Sequence, residues 1–330
     1  MADPLQVDCA IIGGGPAGLV AAIYLLRFRR SVLISDAGEA RTLMISRSHN
    51  YPGFPDGISG ADLLDRLRQQ LLRYGKPTTT GPAIEVRPDA AGWSVLTAQG
   101  STRARRLLLA TGVRDLWPEI ENSAEALRHG CLRFCPICDG FEIPAGSRVA
   151  VIGNDDHAVR EAMFIRSFGA DVTLLPLHDD ELPETTRALV DRCELQLVVA
   201  RRGSLLFDGE CVRGETNDGR CIGPFPIVYA ALGAVPRTEL LTPLRPRASA
   251  LGCLEVDEHQ QTSIRGIYAA GDVVRGLSQI SVAVGEAAIA ATAIHNELRD
   301  EDSAHAAIGS PEARLDPEVR ENPRSSRVGN

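Results

Sequence analysis

The amino-acid sequence predicts an α/β fold, and three observations carry that prediction. An apolar strand, Val7-Asp8-Cys9-Ala10-Ile11-Ile12, runs straight into the glycine-rich turn Gly13 to Gly18 and an apolar helix from Leu19 to about Leu26. The same strand–turn–helix order returns at Arg148 to Ile152, followed by Gly153-Asn154-Asp155-Asp156 and a helix to about Phe168. Between the two openings lies Cys135-Pro136-Ile137-Cys138-Asp139-Gly140, a pair of thiols with a carboxylate directly after the second.

Composition sets the outer limits. The 330 residues are enough for two domains at roughly 150 residues each. An apolar fraction of 44% and a charged fraction of 24% belong to a soluble globular chain. A net charge of −8, with no basic arm, argues against nucleic acid as a partner. The longest uncharged run, Cys9 to Leu26, carries Gly13-Gly14-Gly15-Pro16 in its middle and reads as strand, turn and helix, not as a membrane span. The N-terminus lacks the basic start and apolar core of a signal peptide, and eight cysteines with one short spacing do not make a secreted disulfide scaffold. The expected compartment is the cytoplasm.

At the first opening, Gly13-x-Gly15-x-x-Gly18 suits a dinucleotide. Its glycines permit a tight turn, let backbone approach a pyrophosphate, and let helix pack on strand, while the helix N-terminus faces the phosphates. A second strand, Ser31 to Ser35, ends at Asp36, placed to hold a ribose hydroxyl. His49 to Pro55 is a turn-rich loop before an amphipathic helix, Ile58 to about Tyr74, with Leu63, Leu64, Leu67 and Leu71 on one face. Ala83 to Arg105 reads as an antiparallel meander. A strand then enters Ala110-Thr111-Gly112, small residues whose backbone can meet a flat ligand. Beyond the second opening, strands are expected at Asp171 to Leu175 and from Val228 towards Gly233, and a last one at Gly266 to Val273, ending in Gly271-Asp272. An apolar helix is expected from about Ile280 to Leu298, and a polar tail with little structure of its own from Asp300.

A C-x-x-C pair by itself is open to redox chemistry, zinc or accident. Zinc lacks a second Cys or His pair nearby. Cys131 extends the pair to C-x-x-x-C-x-x-C, an iron–sulfur spacing, but reads better as a packed thiol, and the scattered Cys9, Cys193, Cys211, Cys221 and Cys253 read as ordinary core or surface thiols. Trp117, near the expected hinge, reads as a packing residue. No metal site is expected.

Taken in order, the first glycine motif, Asn50-Tyr51-Pro52-Gly53-Phe54-Pro55, Ala110-Thr111-Gly112, the CPICDG box and Gly271-Asp272-Val273 resemble the low-molecular-weight thioredoxin reductases over roughly residues 6 to 298. The resemblance implies two Rossmann-like, three-layer nucleotide-binding domains, the second inserted into the first, and a homodimer. It divides the chain into a FAD-binding domain at residues 1–115 and 246–299, an inserted pyridine-nucleotide-like domain at 116–245, and a tail at 300–330. It places FAD pyrophosphate on Gly13, Gly14, Gly15, Pro16, Ala17 and Gly18 and the adenosine ribose near Asp36. The flavin is expected by Asn50, Ala110, Thr111 and Gly112, with Gly271 and Asp272 on the ribityl side and Gln279 and Ile280 near the ring. Cys138 is expected to face the flavin, Cys135 to attack a partner disulfide, and Asp139 to act as acid and base.

Two departures bear on the second nucleotide. A pyridine-nucleotide turn wants glycine where this chain has Asp155. A carboxylate about 4 Å from a phosphate charge costs about 4 kcal/mol at an effective dielectric near 20. After the next strand stands Pro176-Leu177-His178-Asp179-Asp180, where NADPH-using members carry a basic cluster. The expectation is therefore a thiol–disulfide oxidoreductase with FAD as its cofactor and weak or absent NADPH use. Its expected partner is a thioredoxin-like protein or a small dithiol or disulfide. The electrons would come from a redox protein, or from a second flavin held in the degenerate site. An NADPH-dependent reductase, an oxygen-using dithiol oxidase and a non-catalytic flavin sensor are the alternatives.

Overall fold

The structure is a computed structural model, and it describes residues 5–90, 92–177 and 182–309. β1 (Leu5–Ile12) is buried through its C-terminal half, as befits a parallel strand covered on both faces. It pairs in parallel with β2 (Val32–Ser35) on one side and with the long strand β6 (Gly100–Leu109) on the other. β3 (Thr78–Thr80) extends the sheet beyond β2, while β4 (Ala83–Asp89) and β5 (Gly92–Thr97) form the expected antiparallel meander with β6. The strand Ile267–Ala269 returns far later in the chain to pair with the last three residues of β6.

Helices α1 (Pro16–Arg27) and α2 (Gly60–Leu72) and the final helix Ile280–Gly309 cover one face of this sheet, where Leu25, Leu64 and Ile294 are fully buried in one cluster. The other face packs Leu33, Leu107 and Leu109 against Leu241 and Leu254. α2 starts two residues later than its periodicity suggests, because Ser59 caps it by accepting from the Asp62 backbone N–H.

After β6 the chain leaves through Val113–Asp115 and comes back through Ala234–Pro236, and these two segments pair antiparallel. Between them lies a five-stranded parallel sheet ordered Gln196–Leu197, Asp171–Leu175, Arg148–Ile152, Ile227–Ala230, Leu132–Arg133. A small sheet of Leu205–Phe207, Val212–Glu215 and Cys221–Phe225 joins Ile120–Glu121 beside it. The architecture is thus two nucleotide-fold units, the second inserted into the first.

Two expectations need correction. The last strand is shorter than expected, ending at Ala269, because Gly271 turns the chain with φ of +81°. The final helix does not end at Leu298; it runs on through Gly309. Polar residues read as a loose tail are side-chain anchors: Glu301 pairs with Arg106 of β6, beside the Glu297–Arg106 pair, and Asp302 pairs with Arg30 and Arg105. The rest of the expected tail, 310–330, lies outside the described residues.

Candidate functional site

The first glycine turn folds as its residue types dictate. Gly13 has φ of +115°, and a side chain there would collide with the Ala110 carbonyl, so β1 and the Ala110 turn can touch only through glycine. The Gly14 N–H donates to Asp36 Oδ1 at 3.1 Å, while a β-carbon at Gly14 would strike that same carboxylate. Gly18 lies against the Gly13 carbonyl and lets α1 pack on its strand. Gly15 caps α1 with no side-chain acceptor, and Pro16 opens the helix, so the first-turn N–H groups point into open space.

That space is a cavity of about 630 Å³. Gly13, Gly15, Pro16, Ala17 and Asp36 line it together with Cys135, Cys138 and Asp139. Asn50, Ala110, Thr111, Gly112, Gly271, Asp272, Gln279 and Ile280 line it as well. Every residue expected at FAD or at the redox pair lines this cavity except Gly14 and Gly18. The open helix end, the carboxylate at Asp36 and the flat floor at Ala110 to Gly112 fit a dinucleotide such as FAD.

The floor is braced from the far side. Thr111 Oγ1 donates to the Arg237 carbonyl at 2.6 Å, and the Arg237 N–H donates to the Gly112 carbonyl at 3.0 Å. Gly271 donates its N–H to Glu286 at 2.7 Å, and burial raises the pKa of both Glu286 and Asp272.

At the sulfur end, Cys135 and Cys138 form a disulfide with Cα atoms 5.3 Å apart. Pro136–Asp139 make one helical turn, with Cys135 at its start. Gln279 Nε2 donates to both sulfurs, at 3.4 Å and 3.5 Å. Asn50 Nδ2 donates in turn to Gln279 Oε1 at 2.8 Å and to the Ile137 carbonyl at 3.3 Å. Two amides of the first unit thus hold the disulfide of the second against the shared cavity. Asp139 is half-buried, and burial raises its pKa against the opposing pull of Tyr229 and Arg133. Its Oδ1 accepts from the Tyr229 hydroxyl at 2.6 Å.

The second glycine turn differs at one point. Gly153 is needed, since a β-carbon there would press on Ala158 and the Ala231 carbonyl. Asp155, however, is the N-cap of the helix Asp156–Arg166, and its carboxylate accepts from the Ala158 N–H at 3.0 Å. The chain's own carboxylate thus takes one of the first-turn N–H groups of this helix. Nearby Arg160 pairs with Asp156 at 3.8 Å and His157 with Glu161 at 3.2 Å, so neither faces an open anion site alone. Asp179 and Asp180, with His178, lie outside the described residues.

Sequence reasoning missed three side chains here. Arg41 lines the cavity and binds Asp115 twice, at 2.7 Å each, and Asp272 at 3.2 Å. Burial works against its charge, but the two carboxylates outweigh burial and keep the guanidinium protonated. Tyr229 and Arg133 flank Asp139. Cys131 is a packed thiol with its Sγ toward the Phe225 carbonyl, and Trp117 stacks edge-on against Phe134. Among the described residues no group of three or more His, Cys, Asp or Glu could hold a metal, and no helix is long and apolar enough to cross a membrane.

This geometry defines a thioredoxin reductase-like flavin disulfide oxidoreductase. The family model for pyridine nucleotide-disulphide oxidoreductases matches residues 7–287, and the chain belongs to that family. It is 30% identical over 297 residues to the thioredoxin reductase of Listeria monocytogenes, an alignment covering 86% of this chain and 91% of that one. A bifunctional thioredoxin reductase/thioredoxin of Mycobacterium leprae is 31% identical, with 86% of this chain but 64% of that protein aligned. The solved thioredoxin reductase of Streptococcus pyogenes superposes with a TM-score of 0.81 at 27% identity, covering 90% of this chain and all of that one. The protein HlmI superposes with 0.80 at 27% identity, over 96% of this chain and 99% of its own.

Proposed function

We propose that the protein is an FAD-dependent thiol–disulfide oxidoreductase whose electrons pass between flavin and the Cys135–Cys138 pair without NADPH. The observation that carries this reading is the contrast between its two helix N-termini. The first lines the cavity that also carries the disulfide; the second is capped by the Asp155 carboxylate.

Bound FAD supplies or accepts the two electrons. The chain's own part is positioning and proton transfer. Gly13 to Gly18 and Asp36 would hold the pyrophosphate and adenosine ribose, and Arg41 with Asp272 would fix the ribityl region. Asn50 and Gln279 keep both sulfurs at the cavity wall. We assign Cys138 as the sulfur facing the flavin and Cys135 as the one that attacks a partner disulfide. Cys138 then resolves the mixed disulfide, and Asp139 gives or takes the proton. The partner is a thioredoxin-like protein or a small dithiol or disulfide, and the working form is a cytoplasmic homodimer. The cap that repels NADPH also repels the pyrophosphate of a second flavin, so we infer one FAD per subunit and electrons supplied by a dithiol or a redox protein.

The test is anaerobic mixing of the yellow protein with NADPH, then NADH, then a dithiol. Bleaching of the flavin band by dithiol but not by nucleotide is the expected result. Rapid bleaching by NADPH overturns it and makes the chain an ordinary nucleotide-driven reductase. A measured ratio of two FAD per subunit overturns the single-flavin inference.

A further inference from the structure

We propose that Tyr229 is a positioning residue for the proton chemistry of the disulfide, holding Asp139 by its hydroxyl in concert with Arg133. This rests on the function proposed above and names the device that sets its acid.

Asp139 closes a single helical turn and is only partly shielded by it. Its carboxyl is instead fixed by the neighbouring sheet. Tyr229 is 1% exposed on the strand Ile227–Ala230, in direct register with Arg133 of the adjoining strand. That register brings both side chains to one spot. The Tyr229 hydroxyl donates to Asp139 Oδ1 at 2.6 Å. Arg133 Nη1 donates to the Asp139 carbonyl at 3.3 Å and to Tyr229 Oη at 3.4 Å, and lies 3.8 Å from Asp139 Oδ2. Its guanidinium stands 5.9 Å from the centre of the Tyr229 ring. Glu142 is the acidic group that opposes ionisation of Asp139.

The tyrosine is suited to the task because it does not give up its own proton. Burial, reinforced by the Asp139 charge, pushes its ionisation far above the ordinary range. It therefore stays a donor while Asp139 changes state. Opening the Cys135–Cys138 bond to two thiols takes two electrons, from reduced flavin, and two protons. Asp139 gives one proton to a sulfur and becomes a carboxylate; solvent gives the other. The Tyr229 O–H and the Arg133 charge then stabilise the carboxylate left behind. In the reverse direction the same contacts lower the cost of waiting as the base.

The experiment compares wild type, Tyr229→Phe and Asp139→Asn as full-length holoenzymes. The carboxyl stretch of Asp139, identified by its loss in Asp139→Asn, is titrated by infrared difference spectroscopy. Removing the phenol donor should make Asp139 a weaker acid by about tenfold. In parallel, opening of the disulfide by dithiothreitol is followed by acid quench and thiol counting across pH, and its midpoint should move upward with the infrared one. A role confined to packing would slow the reaction at every pH and leave both midpoints in place, and that result overturns the proposal. If the Asp139 band shifts as expected while dithiothreitol never bleaches the wild-type flavin, the proposed function falls and the Tyr229 assignment stands. If the flavin bleaches and neither midpoint moves, the reverse holds.

Discussion

Asp115 is 7% exposed, and Arg41 meets its charge with two hydrogen bonds of 2.7 Å. Removing one partner of such a pair strands the other charge in a low-dielectric setting. Arg41→Met is therefore expected to cost about 3 kcal/mol of stability, read as a lower denaturant midpoint. It should also weaken retention of FAD on dilution, because Asp272 loses the same partner. At the second turn, Asp155→Ala should cost about 1 kcal/mol through loss of the helix cap, whereas Asp155→Gly should cost a few tenths. The glycine variant should also gain measurable NADPH-driven flavin reduction; if it reacts no faster than wild type, the cap is not what closes the site. Cys138→Ser should abolish dithiol-driven bleaching while the protein stays yellow. How far these residues could be read in advance follows from where their partners lie. Gly13, Asp36 and the cysteine pair carry their chemistry in local spacing. Arg41 and Tyr229 do not, since their carboxylate partners lie 74 and 90 residues away and only the fold brings them together.

The final helix shows the same limit in a larger element. Its apolar body from about Ile280 to Leu298 is legible in the sequence, and Ala287, Ala290, Ala291, Ile294 and Leu298 are buried. Its extension was not, because charged residues beyond Leu298 look like solvent-facing tail until β6 places Arg105 and Arg106 beneath them. Burial works against ionising Glu301, yet hydrogen bonds from Arg106 and Arg105 outweigh it and hold the carboxyl below the usual range. Hydrogen bonds from Arg30 and Arg105 hold Asp302 low as well. A carboxylate with a depressed folded pKa contributes stability that is present above its unfolded pKa and lost as pH falls through the folded one. Acidification from about pH 5 downward should thus loosen the last turns of the helix before the sheet melts. Amide exchange at residues 298–305, followed across that window, tests this, and Glu301→Gln should flatten the dependence. Equal exchange at pH 6 and pH 3 would count against it. Near the expected hinge, Leu240, Leu241 and Leu244 pack in the cluster of Leu107 and Leu254.

At the scale of the molecule, two copies of one strand–turn–helix design have diverged in accessibility. The order of motifs along the chain made both copies legible, and the insertion was what the resemblance to thioredoxin reductases implied. What the sequence could not disclose was the direction of the Asp155 side chain, since an aspartate in a glycine turn can as easily face solvent as its own helix. The disulfide lies at the wall of a cavity that both units line, and the proposed route for reducing power is through sulfur. A steady-state assay with a dithiol as sole reductant and a partner disulfide as acceptor should give turnover that survives removal of all pyridine nucleotide, and loss of turnover on that removal would contradict the reading.

The Asp155 cap also sets the conditions under which that contradiction could arise. A tethered carboxylate is a competitor that cannot be washed away. Its local abundance at the helix end is on the order of millimolar, fixed by the chain and independent of the solution. A dissolved dinucleotide must outcompete it at every encounter, which on the proposed function would insulate the inserted unit from the cell's nicotinamide pool.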